Sequence, residues 1–269
     1  EEDRKAVAID FYNNDIHMSG DDFIETDGGV HNIRIMRNRG VNSAHAGLSA
    51  QPVFGGPAYF IRNVLYNVAS GVAFKFMAKP AGMFVYHNTV ISEHLVRDPH
   101  SNTHFRNNLL LGSDTPGRGI AAFANATAYS SYDYDAYRPN RRAEAQYAWF
   151  APASPRAREY SPGASDWQIF GTLEELSAAT GQEAHGVEVD YDIFEDLRGP
   201  VAGQRHAVYH AVDLDFRLKT GAKAVDAGVR LPTVNDDFAG AAPDLGALEA
   251  GRPQPHYGPR RHLGQPFYR

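Results

Sequence analysis

Short stretches in which apolar and polar residues alternate recur through the first half of the chain, and each contains a corner asparagine. The stretches read IDFYNND, IRIMRNRG, YFIRNVLY, FVYHNTVI and HFRNNLLL. Alternation over a few residues is typical of a β-strand with one buried face. The asparagines are separated by 24, 25, 25 and 20 residues and are Asn14, Asn38, Asn63, Asn88 and Asn108.

A period of about 20 to 25 residues, with short strands and glycines at the corners, predicts a parallel β-solenoid. Each coil then buries its inward side chains against the coils above and below. An asparagine at one corner of every coil tolerates a left-handed turn and can hydrogen-bond to its equivalent on the next coil. The stretch SSYDYDAY predicts a further coil with Asp133 or Asp135 at the corner. We therefore predict an all-β protein with β-helix coils over residues 1–137.

The pattern changes after these coils. Residues 138–168, rich in Arg, Pro and Ala, predict a long surface excursion, and GTLEELSAATGQ predicts one short α-helix. Thr172 and Glu175 can form a capping box at its start, and Gly181 can end it. VEVDYDIF and AVDLDFRL predict two more strands, so that residues 169–250 contain the helix and closing coils of the same domain. Residues 251–269 predict an irregular tail.

The asparagine-cornered coils carry a resemblance to a known superfamily. YHNTV, HFRNNLLLG and the closing DFRLKTGAKAVDAGVRLP with AAPDLGALE resemble bacterial right-handed parallel β-helix proteins of the pectate-lyase-like superfamily. The resemblance covers most of residues 6–250 and implies a secreted or periplasmic protein that acts on polysaccharide as a lyase, hydrolase or epimerase. Non-catalytic members also exist, so the fold alone leaves the function open.

Proteins of this kind generally carry a capping helix and several coils before the region where this chain starts. We therefore expect the chain to be the C-terminal part of a longer protein. In one alternative, the preceding part is present as another chain. An uncapped solenoid end would expose core residues and an unpaired strand edge.

Composition narrows the classes of function. The chain has 269 residues, 43% of them hydrophobic and 22% charged, which is typical of a folded globular protein. No apolar run is long enough to cross a bilayer, so we expect no membrane insertion. The formal net charge of −6 argues against a nucleic-acid partner. The absence of cysteine excludes disulfides, thiol nucleophiles and cysteine metal sites.

The acidic stretch GDDFIETDGG, residues 20–29, is the first candidate for chemistry. Asp22, Glu25 and Asp27 are candidate catalytic residues, and the same three could hold Ca²⁺, the only cofactor we expect, because hard cations prefer carboxylate oxygens. Two of these acids could instead be the acid and base of glycoside hydrolysis. Solvated surface acids without a function are the third alternative.

Counting from the corner asparagines predicts which outward side chains face one another on neighbouring coils. The expected rows are Glu25–Ser49–Ala73 and Asp27–Gln51–Lys75. With coils roughly 4.8 Å apart, the ends of the second row would lie about 10 Å from each other. That separation suits one or two sugar units.

A lyase that cleaves a uronate polysaccharide needs a base for the C5 proton, a proton donor for the leaving oxygen and a group that neutralises the carboxylate. Candidate bases are Lys75, Lys79, His45 and Arg106, and candidate acids are Tyr59 and Tyr86. Lys75 is the leading base because it lies outward in a strand between phenylalanines. His45 lies on a turn one coil beyond Asp21 and Asp22 and could complete the site.

Other residues are candidates for substrate binding. They are Gln51, Tyr59, Lys79, Arg106, Arg141 and Arg142. Phe54 and Tyr59 could form a stacking platform, and the arginines of the excursion could pair with an anionic glycan. His94, His100 and His104 are too widely spaced for a metal signature such as HExxH. We expect an extracellular polysaccharide lyase, with a hydrolase as the close alternative and a non-catalytic glycan-binding module as another.

Overall fold

The computed structural model describes residues 6–260 and shows an all-β parallel solenoid of six coils, which confirms the predicted fold class. The strands in chain order are β1 (Val7–Tyr12), β2 (Asp15–Ser19), β3 (Ile24–Glu25), β4 (His31–Met36), β5 (Arg39–Ser43), β6 (Leu48–Ala50), β7 (Phe54–Ile61), β8 (Val64–Val68), β9 (Phe74–Phe76), β10 (Ala81–Tyr86), β11 (Thr89–Ile91), β12 (His94–Leu95), β13 (Ser101–Arg106), β14 (Leu109–Leu111), β15 (Ala121–Ala124), β16 (Ser131–Asp133), β17 (Ala136–Arg138), β18 (Tyr147–Phe150), β19 (Gln168–Phe170), β20 (Val187–Glu188), β21 (Phe194–Asp196) and β22 (Asp215–Leu218). One α-helix, α1, spans Leu173–Thr180.

Each coil places one strand in each of three faces of the solenoid. The first sheet has the order β1-β4-β7-β10-β13-β16, and the second has the order β2-β5-β8-β11-β14-β17-β20. The third face consists of β3-β6-β9 followed by β12-β15-β18-β19. Neighbouring strands in these sheets are parallel, except β18 and β19, which are antiparallel. Strands of neighbouring coils pair in regular register, so equivalent side chains form rows along the solenoid axis.

The corner asparagines form a hydrogen-bonded ladder between the first and second sheets. The Nδ2 of Asn38 donates to Oδ1 of Asn63 at 3.0 Å, and that of Asn63 donates to Oδ1 of Asn88 at 3.0 Å. The ladder ends where Asn108 Nδ2 donates to Asp135 Oδ1 at 2.7 Å, so Asp135 is the sixth corner. The left-handed residue is the one before each corner and not the corner itself, as in Arg37 with φ 52°, which corrects the role expected for the asparagine backbone.

Stacked aromatic side chains fill the bore of the solenoid. Phe74 and Phe105 are fully buried, and their ring centroids lie 5.7 Å apart in an edge-on arrangement. His94 lies among the same rings, with both ring nitrogens unpartnered among the described residues, and burial lowers its pKa to about 3. Because aromatic rings bury the largest apolar areas, this stack provides much of the hydrophobic stabilisation of the coils.

The predicted excursion over residues 138–168 starts later than expected. Its first part belongs to the sixth coil, since Arg138 ends β17 and the buried strand Tyr147–Phe150 joins the third face. The α-helix forms where it was predicted. Thr172 Oγ1 accepts the N–H of Glu175 at 3.2 Å, and Gly181 adopts φ 69° at the end.

Residues 187–250 do not continue as closing coils. Only β20 joins the second sheet, and β21 pairs with β22 in an antiparallel ribbon. The remaining residues, 189–250, run back over the outside of the second sheet, and we call them the covering segment. The outward side chains of that sheet, such as Val64 and Leu109, are apolar and pack against this segment. Asn42 Nδ2 donates to the carbonyl of Tyr209 at 2.8 Å in this contact.

The two ends of the described chain meet at the first coil. The N–H of Gly258 donates to the carbonyl of Asn13 at 2.8 Å, so residues 251–260 lie against coil 1 without regular structure. The remaining predicted tail, residues 261–269, lies outside the described residues. The β1 side chains Val7, Ile9 and Phe11 are 38–43% exposed. Across residues 6–260, no helix combines the length and hydropathy needed to cross a bilayer.

Candidate functional site

The turns that lead into the third face bring an aspartate, a histidine and a lysine together. Oδ1 of Asp22 lies 2.9 Å from Nδ1 of His45 and accepts the N–H of Ala46 at 3.0 Å. Oδ2 of Asp22 lies 2.5 Å from Nζ of Lys75. The Asp22 side chain is fully buried, whereas the His45 side chain is 52% exposed. We call Asp22, His45 and Lys75 the coil-turn cluster.

Strand register and core packing position this cluster. Phe23 points into the core and its N–H donates to the carbonyl of Gly47 at 2.9 Å, which places the preceding Asp22 beside the turn of coil 2. The pairing of Ile24 with Leu48 then stacks the two turns. The turn of coil 2 therefore presents both the Ala46 N–H and the His45 ring to one carboxylate.

The outward rows differ from those expected. Ser49 pairs with Lys75 and with Glu25, so the row is Glu25–Ser49–Lys75, and Lys75 does not lie opposite Gln51. The turn of coil 3 has one residue more than that of coil 2, because Ser43 pairs with Val68 while Leu48 pairs with Phe74. The shift of register brings the Lys75 ammonium back to Asp22.

The ion pair between Asp22 and Lys75 keeps both of these side chains charged. Burial would raise the pKa of Asp22, but hydrogen bonds from Lys75 and His45 outweigh it and lower the pKa. Burial would lower the pKa of Lys75, but the Asp22 carboxylate outweighs it and raises the pKa. Lys75 is therefore held protonated and is poorly suited to the role of base predicted for it.

The acids expected to bind Ca²⁺ are not brought together. Asp27 Oδ1 accepts the hydroxyl of Ser49 at 2.6 Å and the N–H of Gln51 at 2.8 Å, whereas Asp22 contacts a different set of partners. Glu25 is exposed on the third face.

The group with close potential ligand atoms consists of Asp21, Asp22 and His45, whose atoms lie within 4.8 Å of one another. The Lys75 ammonium already contacts one oxygen of this group and opposes a second cation there. Calcium binding stays a prediction.

Three of the predicted residues lie on a different face of the solenoid. Tyr59, Tyr86 and Arg106 project from the first sheet, where Tyr86 pairs with Arg106 and the Tyr59 ring stacks on Phe84 at 5.2 Å. Burial raises the pKa of Tyr86 to about 12, so its hydroxyl keeps its proton. Their place on another sheet separates them from the coil-turn cluster.

The remaining candidates lie apart from both groups. Lys79 follows β9, with its ammonium 5.3 Å from the ring centre of Tyr160. Phe54, which was expected to form a stacking platform with Tyr59, is exposed at the start of β7.

The arginines of the predicted excursion are partly engaged by acids at the sixth coil. Arg138 is buried and pairs with Asp114 at 2.7 Å and Asp190 at 2.8 Å, and Arg141 pairs with Asp190. Arg142 is exposed. The first two arginines therefore hold the end of the solenoid together and are less available to an anionic glycan than expected.

One residue near the cluster carried no signal in the sequence. Arg118 belongs to a loop of coil 5, and its guanidinium packs against Gly71 in the turn of coil 3. That turn adjoins His45, since the Ser70 hydroxyl donates to the His45 carbonyl at 2.6 Å. Arg118 also forms an ion pair with buried Glu93, with Nη1 and Oε2 3.8 Å apart, which is beyond hydrogen-bond distance. No local pattern could link Arg118 to a turn so far away in the sequence.

The structure thus defines a parallel β-solenoid with an Asp–His–Lys cluster on one line of turns. A scan of the chain against protein-family models found no match, and a search of curated proteins found no relative. Function is therefore argued from the geometry of the cluster.

Proposed function

We propose that the protein is a lyase that cleaves an acidic polysaccharide by β-elimination, as a secreted or periplasmic member of the pectate-lyase-like β-helix proteins. The supporting observation is the pair of buried Asp22 and half-exposed His45. A histidine that donates Nδ1–H to a carboxylate presents Nε2 as a proton acceptor. In this pair Lys75 and the Ala46 N–H hold the carboxylate in place.

The proposed reaction uses the exposed edge of His45. Nε2 takes the proton from C5 of a uronate, the C5–H electrons form the C4=C5 double bond, and the C4–O bond breaks. The same imidazolium then returns the proton to the leaving oxygen, so protons and electrons balance without a further reagent. Asp22 stabilises the imidazolium between the two steps, and Asp21, with Oδ1 at 3.2 Å from His45 Nδ1, adds a second negative charge. Arg118 is the candidate to neutralise the uronate carboxylate.

Hydrolysis is the weaker alternative for the same residues. A glycoside hydrolase needs one carboxyl group that is protonated at its working pH, which usually requires a raised pKa. The pKa of Asp22 is lowered, and its oxygens are already bound by Lys75, His45 and Ala46. A carboxylate in that state serves better to orient a histidine than to donate a proton.

The test is ultraviolet absorbance during incubation with a panel of uronate polysaccharides, with and without Ca²⁺. We expect the absorbance of an unsaturated uronate to rise, and His45→Ala to slow the rise by about 100-fold or more. His206→Ala, at an exposed histidine of the covering segment, is the matched control and should retain activity.

Each other outcome contradicts the proposal in a different way. New reducing ends without absorbance would indicate a hydrolase. Neither signal on any polysaccharide would favour a glycan-binding module. Full activity of His45→Ala would remove the coil-turn cluster from the chemistry.

A further inference from the structure

A groove on a different face of the solenoid from the proposed base lies between the outer face of the first sheet and the turn at residues 231–235. It has a volume of about 450 Å³. Its walls include Tyr12, Arg34, Arg37, Tyr59, Arg62 and Val234. The volume falls within the range of pockets that bind small organic ligands. We call this feature the first-sheet groove.

The corner geometry of the solenoid supplies two arginines to the groove. Arg37 and Arg62 precede the ladder asparagines of coils 2 and 3, and both adopt the left-handed conformation, with φ 52° and 55°. Equivalent positions on adjacent coils project their side chains to the same side. Neighbouring coils are roughly 4.8 Å apart, so both guanidinium groups can reach one ligand.

The two arginines differ in how far their charge is neutralised. Arg62 Nη2 donates to Asp237 at 3.1 Å, while its Nε is buried and unpartnered among residues 6–260. Arg37 is exposed, and its guanidinium makes no hydrogen bond or ion pair with any described residue. Arg34 is already paired with Asp10 through two hydrogen bonds. Arg37 therefore leaves a net positive charge in the groove.

The groove also contains the end of an aromatic stack. The Tyr59 ring packs on Phe84 at 5.2 Å, and Phe84 packs on His104 at 5.4 Å, so the three rings form a column across coils 3 to 5. The column ends at Tyr59, which pairs with Arg34 on coil 2 and lines the groove together with it. Tyr12, which is 57% exposed, borders the groove on coil 1.

We propose that the first-sheet groove is a non-catalytic binding site for an acidic sugar unit of a polysaccharide. The apolar face of the sugar ring packs on Tyr59, and its carboxylate or sulfate group pairs with Arg37 and Arg62. Guanidinium suits these anions because its planar donors match two oxygens. The described lining residues of the groove include no histidine–carboxylate pair like that of the coil-turn cluster, and we assign binding alone to the groove.

The test measures binding by isothermal titration calorimetry in the His45→Ala background, so that turnover does not interfere. The probes are hexamers of galacturonate, of mannuronate and of chondroitin sulfate, with maltohexaose as the neutral probe and a single-stranded DNA decamer as another polyanion. Arg37→Gln and Tyr59→Ala are the test variants. Arg198→Gln, at an exposed arginine of the covering segment, is the matched control.

We expect at least one acidic hexamer to bind, and each test variant to weaken it by about tenfold, the equivalent of one charge-assisted hydrogen bond or one stacking contact. Arg198→Gln should bind like the parent. The proposal is overturned if no acidic hexamer binds, if maltohexaose binds equally well, if only DNA binds, or if Arg37→Gln leaves affinity unchanged. Binding and β-elimination are measured separately, so either can fail alone.

Discussion

Replacing Asp135 with asparagine should stabilise the protein at neutral pH, because Asp135 fills an asparagine position of the ladder with a carboxyl group. Its Oδ1 accepts Asn108 Nδ2 at 2.7 Å, and it is fully buried. Glu183, also buried, accepts the N–H of Asp135 at 3.3 Å and the hydroxyl of Tyr137 at 2.7 Å. Two carboxyl groups therefore share one buried site, whereas an amide at 135 could accept from Asn108 and donate to Glu183.

The pKa shifts set the direction of the effect, and the pH interval sets its upper limit. Burial first and the Glu183 charge second raise the pKa of Asp135, and burial raises the pKa of Glu183 to about 7. The unfolded chain releases both protons near pH 4, so stability falls as pH rises from about 4 to about 7. Each pH unit costs about 1.4 kcal/mol per group, which gives an upper limit of about 4 kcal/mol for Asp135 at pH 7. Relaxation of the folded protein around the buried carboxyl groups reduces this cost. We expect Asp135→Asn to raise the free energy of unfolding by about 2 kcal/mol.

Urea unfolding at several pH values between about 4 and 8 measures the effect. The gain should be near zero at the acid end and should grow with pH. Asp133→Asn is the matched control. Burial would raise the pKa of Asp133, but hydrogen bonds from His185 lower it, so this variant should lose stability at neutral pH. The reasoning is refuted if Asp135→Asn does not stabilise the protein, or if it stabilises the protein equally at both ends of the pH range.

The remaining predictions concern the ladder, the coil-turn cluster and the covering segment. Asn63→Ala leaves the carbonyl of Ile35 and the neighbouring ladder groups unpaired, so urea unfolding should show a loss of about 3 kcal/mol; a loss below about 1 kcal/mol contradicts a stabilising ladder. Lys75→Met leaves the Asp22 carboxylate without its cation and should cost about 2 kcal/mol at neutral pH. Because the pKa of Asp22 is lowered, its contribution is present above about pH 4 and lost as pH falls further, so acid unfolding of Lys75→Met should show a smaller pH dependence; an unchanged dependence contradicts this. Tyr66→Phe removes a 2.8 Å hydrogen bond to the covering segment and should speed limited proteolysis of residues 198–210 while the coils resist; equal cleavage rates contradict it.

The ladder and the core were predictable because they repeat. The Oδ1 of each corner asparagine accepts hydrogen bonds from the backbone N–H and the Nδ2 of the preceding corner, as Asn88 does from Asn63. The sequence therefore shows the same residue at nearly the same spacing. Inward positions such as Phe74 and Phe76 alternate with outward ones for the same reason. Repetition also identified Asp135 as a candidate sixth corner, although the carboxyl pair with Glu183 joins residues far apart in sequence and left no local signal.

The register of the outward rows was not predictable from counting. The strand of coil 3 pairs two residues later than counting predicted, so the partner of Lys75 is Ser49 and not Gln51. One of the two residues is the additional residue in the turn of coil 3, and turns tolerate such insertions because they are solvated. Counting coils placed His45 on the turn one coil beyond Asp22 of the acidic stretch, and the structure confirms that these two side chains are in contact. Counting did not reveal that Lys75 is the counter-ion of Asp22, since that contact depends on the shifted register.

The covering segment illustrates a second limit. VEVDYDIF and AVDLDFRL have the alternation of coil strands, and strands do form there, but β21 and β22 pair with each other on the outside of the second sheet. Alternation reports that one face is buried and does not report which surface buries it. The apolar outer face of the second sheet decides the outcome, because it would otherwise be exposed to water.

Product mass is the most direct test of the central claim that the Asp22–His45 pair supports β-elimination. The parent protein, His45→Ala and Asp22→Asn are each incubated with the acidic polysaccharide that gives the largest signal, and the released oligosaccharides are analysed by mass spectrometry. We expect the parent to release fragments with unsaturated ends, one water lighter than hydrolysis products, and both variants to release far fewer. Fragments of hydrolysis mass, or unsaturated fragments formed equally by all three proteins, would contradict the claim.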